Sequence, residues 1–298
     1  MKTRLFALAA LGIVLTACTN DNEVMNNGPV AAVINAEISD AVATRASGTT
    51  WGDADEIGVS ENRFGYTNVL YRRANGKFEP AGSTIYFHDD APTTFSAYYP
   101  YNSNGGTLTV TTDATAQQNQ PAIDFLYATG AIAGTDSPEV NFRNENAAGG
   151  NDPALDHSFH HCMSQLTLTF EAGEGVDFST IRPTAYTLSG LVLTGSFDTT
   201  TGTAKADDGA QAADLIMPIG SPLTSSVILF PQTRASIDLT VVYNDNEYNA
   251  TLTVPDGALK AGNNYTYTVT VRNKDLSIGS ADITAWNPVN GGDVYADL

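Results

Sequence analysis

The chain has 298 residues, room for two modest domains or one large one, and a formal charge of −19 from 14 Lys+Arg against 33 Asp+Glu. Such a surface repels a phosphate backbone and has few cations with which to release counterions, so nucleic acid is excluded as a partner. Charged residues make up only 16% of the chain, and its wealth of Thr, Asn, Gly and Ala points to an exposed, β-rich protein rather than a helical cytoplasmic enzyme.

The first elements are a basic pair, Lys2 and Arg4, and an apolar run from Leu5 to Leu15 that is too short to span a bilayer as a mature helix. Leu15-Thr16-Ala17-Cys18 follows and resembles a bacterial lipobox. On that reading residues 1–18 are a lipoprotein signal ending at Cys18, the lipidated first residue of the mature chain. An ordinary signal peptide with an incidental cysteine is the alternative. Cys162 is then the remaining thiol, and no internal disulfide supports the fold.

Residues 19–45 comprise a polar tether and a strand-like segment. Val30, Ala32, Ile34, Ala36 and Ile38 fall on one face; Ala31, Val33, Asn35 and Glu37 fall on the other. At about 3.3 Å per residue such a strand reaches across a sandwich. Burying its apolar face is worth several kcal/mol at ~25 cal/mol per Å², so the segment is expected to occupy a groove. Beyond it stands Arg45, the one basic residue between Leu5 and Asn62, flanked by Ala43, Thr44, Ala46, Ser47 and Gly48. From the residues alone Arg45 reads as a solvated linker arginine.

The body of the chain lacks sustained 3.6-residue periodicity, whereas period-2 alternation recurs. Leu166, Leu168 and Phe170 alternate with polar residues; so do Ile237, Leu239, Val241 and Tyr243, then Tyr248, Ala250, Leu252 and Val254, then Tyr265, Tyr267, Val269 and Val271. Each is read as a half-buried antiparallel strand, separated from the next by turn signals such as Asn244-Asp245-Asn246 and Pro255-Asp256-Gly257. The expected fold is all-β, of sandwich type. Asn144 to Asp156 has no apolar alternation and carries Gly149-Gly150 and Pro153, which places a join there. It divides an N-terminal domain, 46–156, from a C-terminal one, 157–298. After Trp286 come Gly291-Gly292 and a short alternation of Val294, Ala296 and Leu298, a candidate tail strand.

Candidate chemistry is sparse. Asp156, His157, His160, His161 and Cys162 include metal-ligand types. Adjacent strand residues point to opposite faces, however, so His160 and His161 cannot meet one ion, and no metal is expected. No Gly-x-Ser-x-Gly or His-Glu-x-x-His occurs, and His88 sits in a strand exit. Asp53, Asp55, Glu56, Asp89 and Asp90 read as turn carboxylates bonded to their own backbone. Neither an enzyme nor a cofactor is implied.

Five blocks in order carry a family resemblance. Trp51-Gly52-Asp53-Ala54-Asp55-Glu56-Ile57-Gly58-Val59 resembles the W-x-x-G-D-x-I-G-V opening of the fimbrillin family, the type V pilus subunits of Bacteroidetes, with Ala54 where that family's glycine often stands. Phe95 to Tyr101 is similar to its AYYPY block, and Asp124 to Ala128 to its DLLYA block. Phe159 to Leu166 is similar to F-x-H-x-L-S-K-L, with Met163 and Gln165 as departures, and Phe230 to Thr233 to its PQT corner. The resemblance implies two tandem transthyretin-like Greek-key β-sandwich domains. It also implies export as an outer-membrane lipoprotein exposed at the cell surface, a destination that Asp21 and Glu23 behind Cys18 suit. It further implies cleavage by a trypsin-like, Arg-specific surface protease, here at Arg45–Ala46. The strand from about Pro29 to Ala43 is then lost, and a strand of a neighbouring subunit takes its groove, with Val294, Ala296 and Leu298 as a candidate donor. The implied partners are other fimbrial subunits, the protease, the membrane before processing and a host or bacterial surface receptor.

The rival reading is a lipid-anchored glycan-binding protein that keeps its first strand. Tyr66, Tyr71, Tyr98, Tyr99 and Tyr101 would then stack on sugar rings, whereas core and edge positions of a sandwich suit the AYYPY block better.

Overall fold

The computed structural model describes residues 28–39, 50–147, 149–273 and 275–285. The described chain is all-β, with short 3₁₀ turns only. None of its helices is long and apolar enough to cross a membrane.

The first half builds an eight-stranded sheet. Its order is Glu139–Phe142, Val33–Ala36, Lys77–Pro80, Val69–Ala74, Glu56–Glu61, Thr93–Tyr99, Leu126–Ala133 and His160–His161. Tight turns such as Asn75-Gly76, both at positive φ, reverse the chain between neighbours. Alternation puts Ile57, Val59, Tyr71, Phe95 and Phe142 into one buried cluster.

The second half stacks two sheets over a core that includes Leu168, Tyr186, Leu239 and Tyr267. One sheet has the order Ala213–Pro218, Ala185–Leu191, Ser236–Tyr243, Asn246–Thr253. The other carries Thr224–Leu229, Ser164–Ala172 and Asn263–Val271 side by side. The alternating faces read from sequence are the buried ones, because the pleat sends successive side chains to opposite sides. One expectation is corrected. Ser164–Ala172 and Asn263–Val271 pair in parallel, from Gln165 against Asn264 to Ala172 against Val271. Ninety residues of intervening chain remove the hairpin constraint that would have made them antiparallel.

The halves are laced together. Thr107–Thr111, early in the chain, pairs with Thr194–Asp198. A third cluster brings Tyr98 and Phe125 together with Met163, Phe197 and Phe230 from later in the chain. Phe125 stacks on Phe197 with ring centroids 4.4 Å apart. Asn144 to Asp156 is a closed loop, tied by a bridge between those two residues and by the Glu145 N–H donating to Leu155 O at 2.7 Å.

Candidate functional site: the groove of the leading strand

The strand expected from the sequence is present, and it is internal to its sheet. Val30 and Ala31 pair antiparallel with Phe87 and Tyr86. Ala32 N–H donates to Ile85 O at 2.9 Å and Val33 N–H to Pro138 O at 2.9 Å. Val33–Ala36 then runs parallel to Glu139–Phe142 on one side, while Ile34 faces Phe78 antiparallel on the other. At the far end Glu37 N–H donates to Phe142 O at 2.8 Å, Phe159 N–H to Glu37 O at 2.9 Å, and Ser39 N–H to Phe159 O at 2.8 Å. Ten residues of backbone are thus tied to four separate parts of the chain.

Side chains follow the alternation. Ala32, Ile34 and Ile38 are buried, Ile34 to 1% exposure, while Val30 and Ala36 are half-buried against the same core. On the other face Val33 is 46% exposed, and Asn35 bonds to Asn141 at 3.0 Å. A strand that carries two core isoleucines and both rows of sheet hydrogen bonds leaves a slit, not merely a bare edge, when taken away.

Trp51 closes the far end. Its indole Nε1–H donates to Ala36 O at 2.9 Å. The ring meets Phe78, Tyr99 and Phe159 edge-on, at centroid distances of 5.2, 5.5 and 5.0 Å. Such T-shaped contacts add to simple burial. Burial and the neighbouring Asp55 carboxylate hold the Tyr99 phenol well above its ordinary pKa. The sequence marked Trp51 only as the start of a motif. Its bond to residue 36 carries no sequence signal, because the two meet only in three dimensions.

Two cavities flank this end. One, of about 400 Å³, is lined by Ala36, Glu37, Ile38, Trp51 and Arg73 among others. The other, of about 360 Å³, has Asn35, Glu37, Lys77, Glu139 and Arg143 in its wall. The Nε of Arg73 is buried without a hydrogen-bond partner.

Cys18, Arg45, Ala46, Val294, Ala296 and Leu298 lie outside the described residues. His160 and His161 do point to opposite faces: the former is exposed and 3.4 Å from Asp156, the latter buried and 2.8 Å from Asp124. Among the described residues no group of three His, Cys, Asp or Glu is arranged to hold a metal ion. The tyrosines take core and edge positions rather than forming an exposed platform. Tyr71 and Tyr98 are 0% and 2% exposed, Tyr99 packs on Trp51, and Tyr66 stacks on His88 with ring centroids 6.2 Å apart. Tyr71 and Tyr98 face inward because strand alternation sends them to the core, while Tyr66 stays half-buried beside the exposed His88.

A profile described as fimbrillin-like matches residues 44–286. No curated protein matches. A solved Bacteroides ovatus protein assigned to cell adhesion is 28% identical, with a TM-score of 0.72, over 89% of this chain and 100% of its own. A Bacteroides uniformis protein assigned to the same process is 24% identical, TM-score 0.67, over 87% and 99%. A Bacteroides vulgatus fimbrial protein shares the fold at 13% identity, TM-score 0.50, over 87% and 99%.

Proposed function

The chain belongs to the fimbrillin-like family, and from that premise we propose that it is a structural, non-enzymatic subunit of a cell-surface fimbria, assembled by donor-strand exchange and serving adhesion. It is exported as an outer-membrane lipoprotein on Cys18 and folds as two transthyretin-like sandwiches meeting near residue 156. Cleavage at Arg45–Ala46 by an Arg-specific surface protease frees the strand that carries Val30 to Ile38. A neighbouring subunit then fills the groove, with Val294, Ala296 and Leu298 as the donating segment.

One observation supports this most. The leading strand is bonded along both edges and contributes buried isoleucines, and its covalent link to the chain that follows runs through the stretch that holds Arg45. A single cut there converts a covalent part of the core into a replaceable one. Once the strand leaves, the unpaired edges and apolar slit make refilling strongly favourable. The cell-adhesion assignment of the 28% identical Bacteroides ovatus protein agrees with a surface role.

N-terminal sequencing of the surface-extracted protein tests the reading. A start at Ala46 in a detergent-resistant high-mass ladder is expected. A lipidated Cys18 start with monomers alone overturns it.

A further inference from the structure

Two attachments join the halves of the described chain, and they lie far apart in sequence. The covalent one is the crossing between His161, in the sheet of the first half, and Ser164, in a sheet of the second. Sandwiches held by that alone would hinge, since domains of one chain move against each other unless their contact is large and apolar. The other attachment starts at Ala116–Ala122, a 3₁₀ segment of the first half. Its glutamines reach Thr224–Leu229, which stands at the end of its sheet and, among the described residues, pairs only with Ser164–Ala172.

Side-chain amides make this contact in the pattern of a missing strand. Gln117, 5% exposed, accepts the Ile228 N–H on Oε1 at 2.9 Å and donates from Nε2 to Ile228 O at 2.7 Å. An antiparallel neighbour offers a residue the same two-way exchange. Nε2 also donates to Thr112 O at 2.9 Å, so both amide hydrogens are used. Two residues along, where the strand turns the same edge outward again, Gln120 Nε2 donates to Ser226 O at 2.6 Å. Thr112 in turn gives its N–H to Leu193 O at 2.8 Å, beside the pairing of Thr111 with Thr194. The hairpin that follows seats on the first half. Tyr127 OH donates to Thr200 O at 2.8 Å, and a Cβ on Gly202, which holds a φ of 69°, would overlap the Tyr127 ring.

We infer that Gln117 and Gln120 act as a surrogate strand that locks the two halves into one cooperative unit. The lock is demanding because it satisfies buried backbone groups: an N–H or C=O left unmet there costs more than a typical bond contributes. A fimbrial subunit built in this way is a stiff link between its neighbours rather than two beads on a string. That use rests on the function proposed above, whereas the coupling itself does not.

The test is hydrogen exchange of the full, uncut chain in rising urea, read by mass spectrometry on peptides that cover Glu56–Glu61 and Ser164–Ala172. In the wild type both are expected to open at one urea midpoint. Gln117→Met keeps the length of the side chain but donates nothing. It is expected to speed exchange within Thr224–Leu229 at least about tenfold and to part the two midpoints. Gly202→Ala, which displaces the hairpin without touching the glutamines, should part them too. Gln118→Ala, on the exposed neighbour, should not. If Gln117→Met does not fold, Gln120→Ala, which loses the bond to Ser226, is read in the same way. Two midpoints in the wild type overturn the inference. So does a glutamine variant in which both midpoints fall together, because the side chain then supports the fold without coupling its halves.

Discussion

Asp124 and His161 lie 2.8 Å apart, carboxylate to Nδ1, with side chains 9% and 1% exposed. The contact joins two of the sequence blocks, Asp124 to Ala128 and Phe159 to Leu166, beside the cluster that holds Phe125, Cys162 and Met163. Deleting one partner of a buried hydrogen bond typically costs about 1–3 kcal/mol. Asp124→Ala is therefore expected to lower unfolding free energy by about 2 kcal/mol in urea titration, and Asp124→Asn by less, because the amide still bonds. A loss under about 1 kcal/mol for the alanine variant would mean that water takes the carboxylate's place.

Ala54 holds a φ of 74°, the left-handed region in which a Cβ costs about 1–2 kcal/mol. It is the position where the resembling motif often has glycine. Ala54→Gly is expected to raise the thermal midpoint, with a gain of about 1 kcal/mol offset partly by glycine's greater unfolded-state freedom. A lowered midpoint would show that the strain is negligible.

Ile34 is 1% exposed in the core of the first half. Ile34→Ala is expected to destabilise the uncut protein by about 2–5 kcal/mol. After cleavage and replacement of the strand, the same substitution should have no effect on the assembled protein. Equal destabilisation of both forms would show that the strand never leaves.

Arg45→Ala is expected to abolish the high-mass ladder on a denaturing gel while leaving the monomer's unfolding curve unchanged, since the native strand stays in its groove. Ladder formation at the wild-type level would place processing elsewhere.

Burial, with a further contribution from Asp124, pushes the Cys162 thiol up to about 12. A thiol in the unfolded chain titrates near ~8.5. The sign follows: the folded pKa is raised, so its contribution to stability is present below about pH 8.5 and lost progressively as pH rises toward 12. In a Cys18→Ser background, Ellman's reagent at pH 8 should leave the folded protein unmodified and react only on unfolding. Rapid reaction without unfolding would contradict the burial.

Alternation made much of this protein legible. Val30 to Ile38, Ile237 to Tyr243 and Tyr265 to Val271 bury the faces read from their residues. The physical reason is local: a pleated backbone sends successive side chains to opposite sides, so hydrophobic order along the chain states which side is inside. The split between His160 and His161 follows from the same rule.

Partners were not legible, because pairing is chosen by the whole chain. Nothing in Val33–Ala36 names Glu139–Phe142 as its parallel neighbour, nor Asn263–Val271 as that of Ser164–Ala172. Tyr71 and Tyr98 are the core residues that a sandwich reading of their blocks expects, but which rings they meet there is settled only in space. So the sequence by itself determined the all-β class, the buried face of the leading strand and its need for a groove. Only the tertiary structure decided that this groove is an internal slit of the sheet and that Trp51 closes it over Ala36. Long-range hydrogen bonds and core contacts join segments whose separation along the chain leaves no local trace.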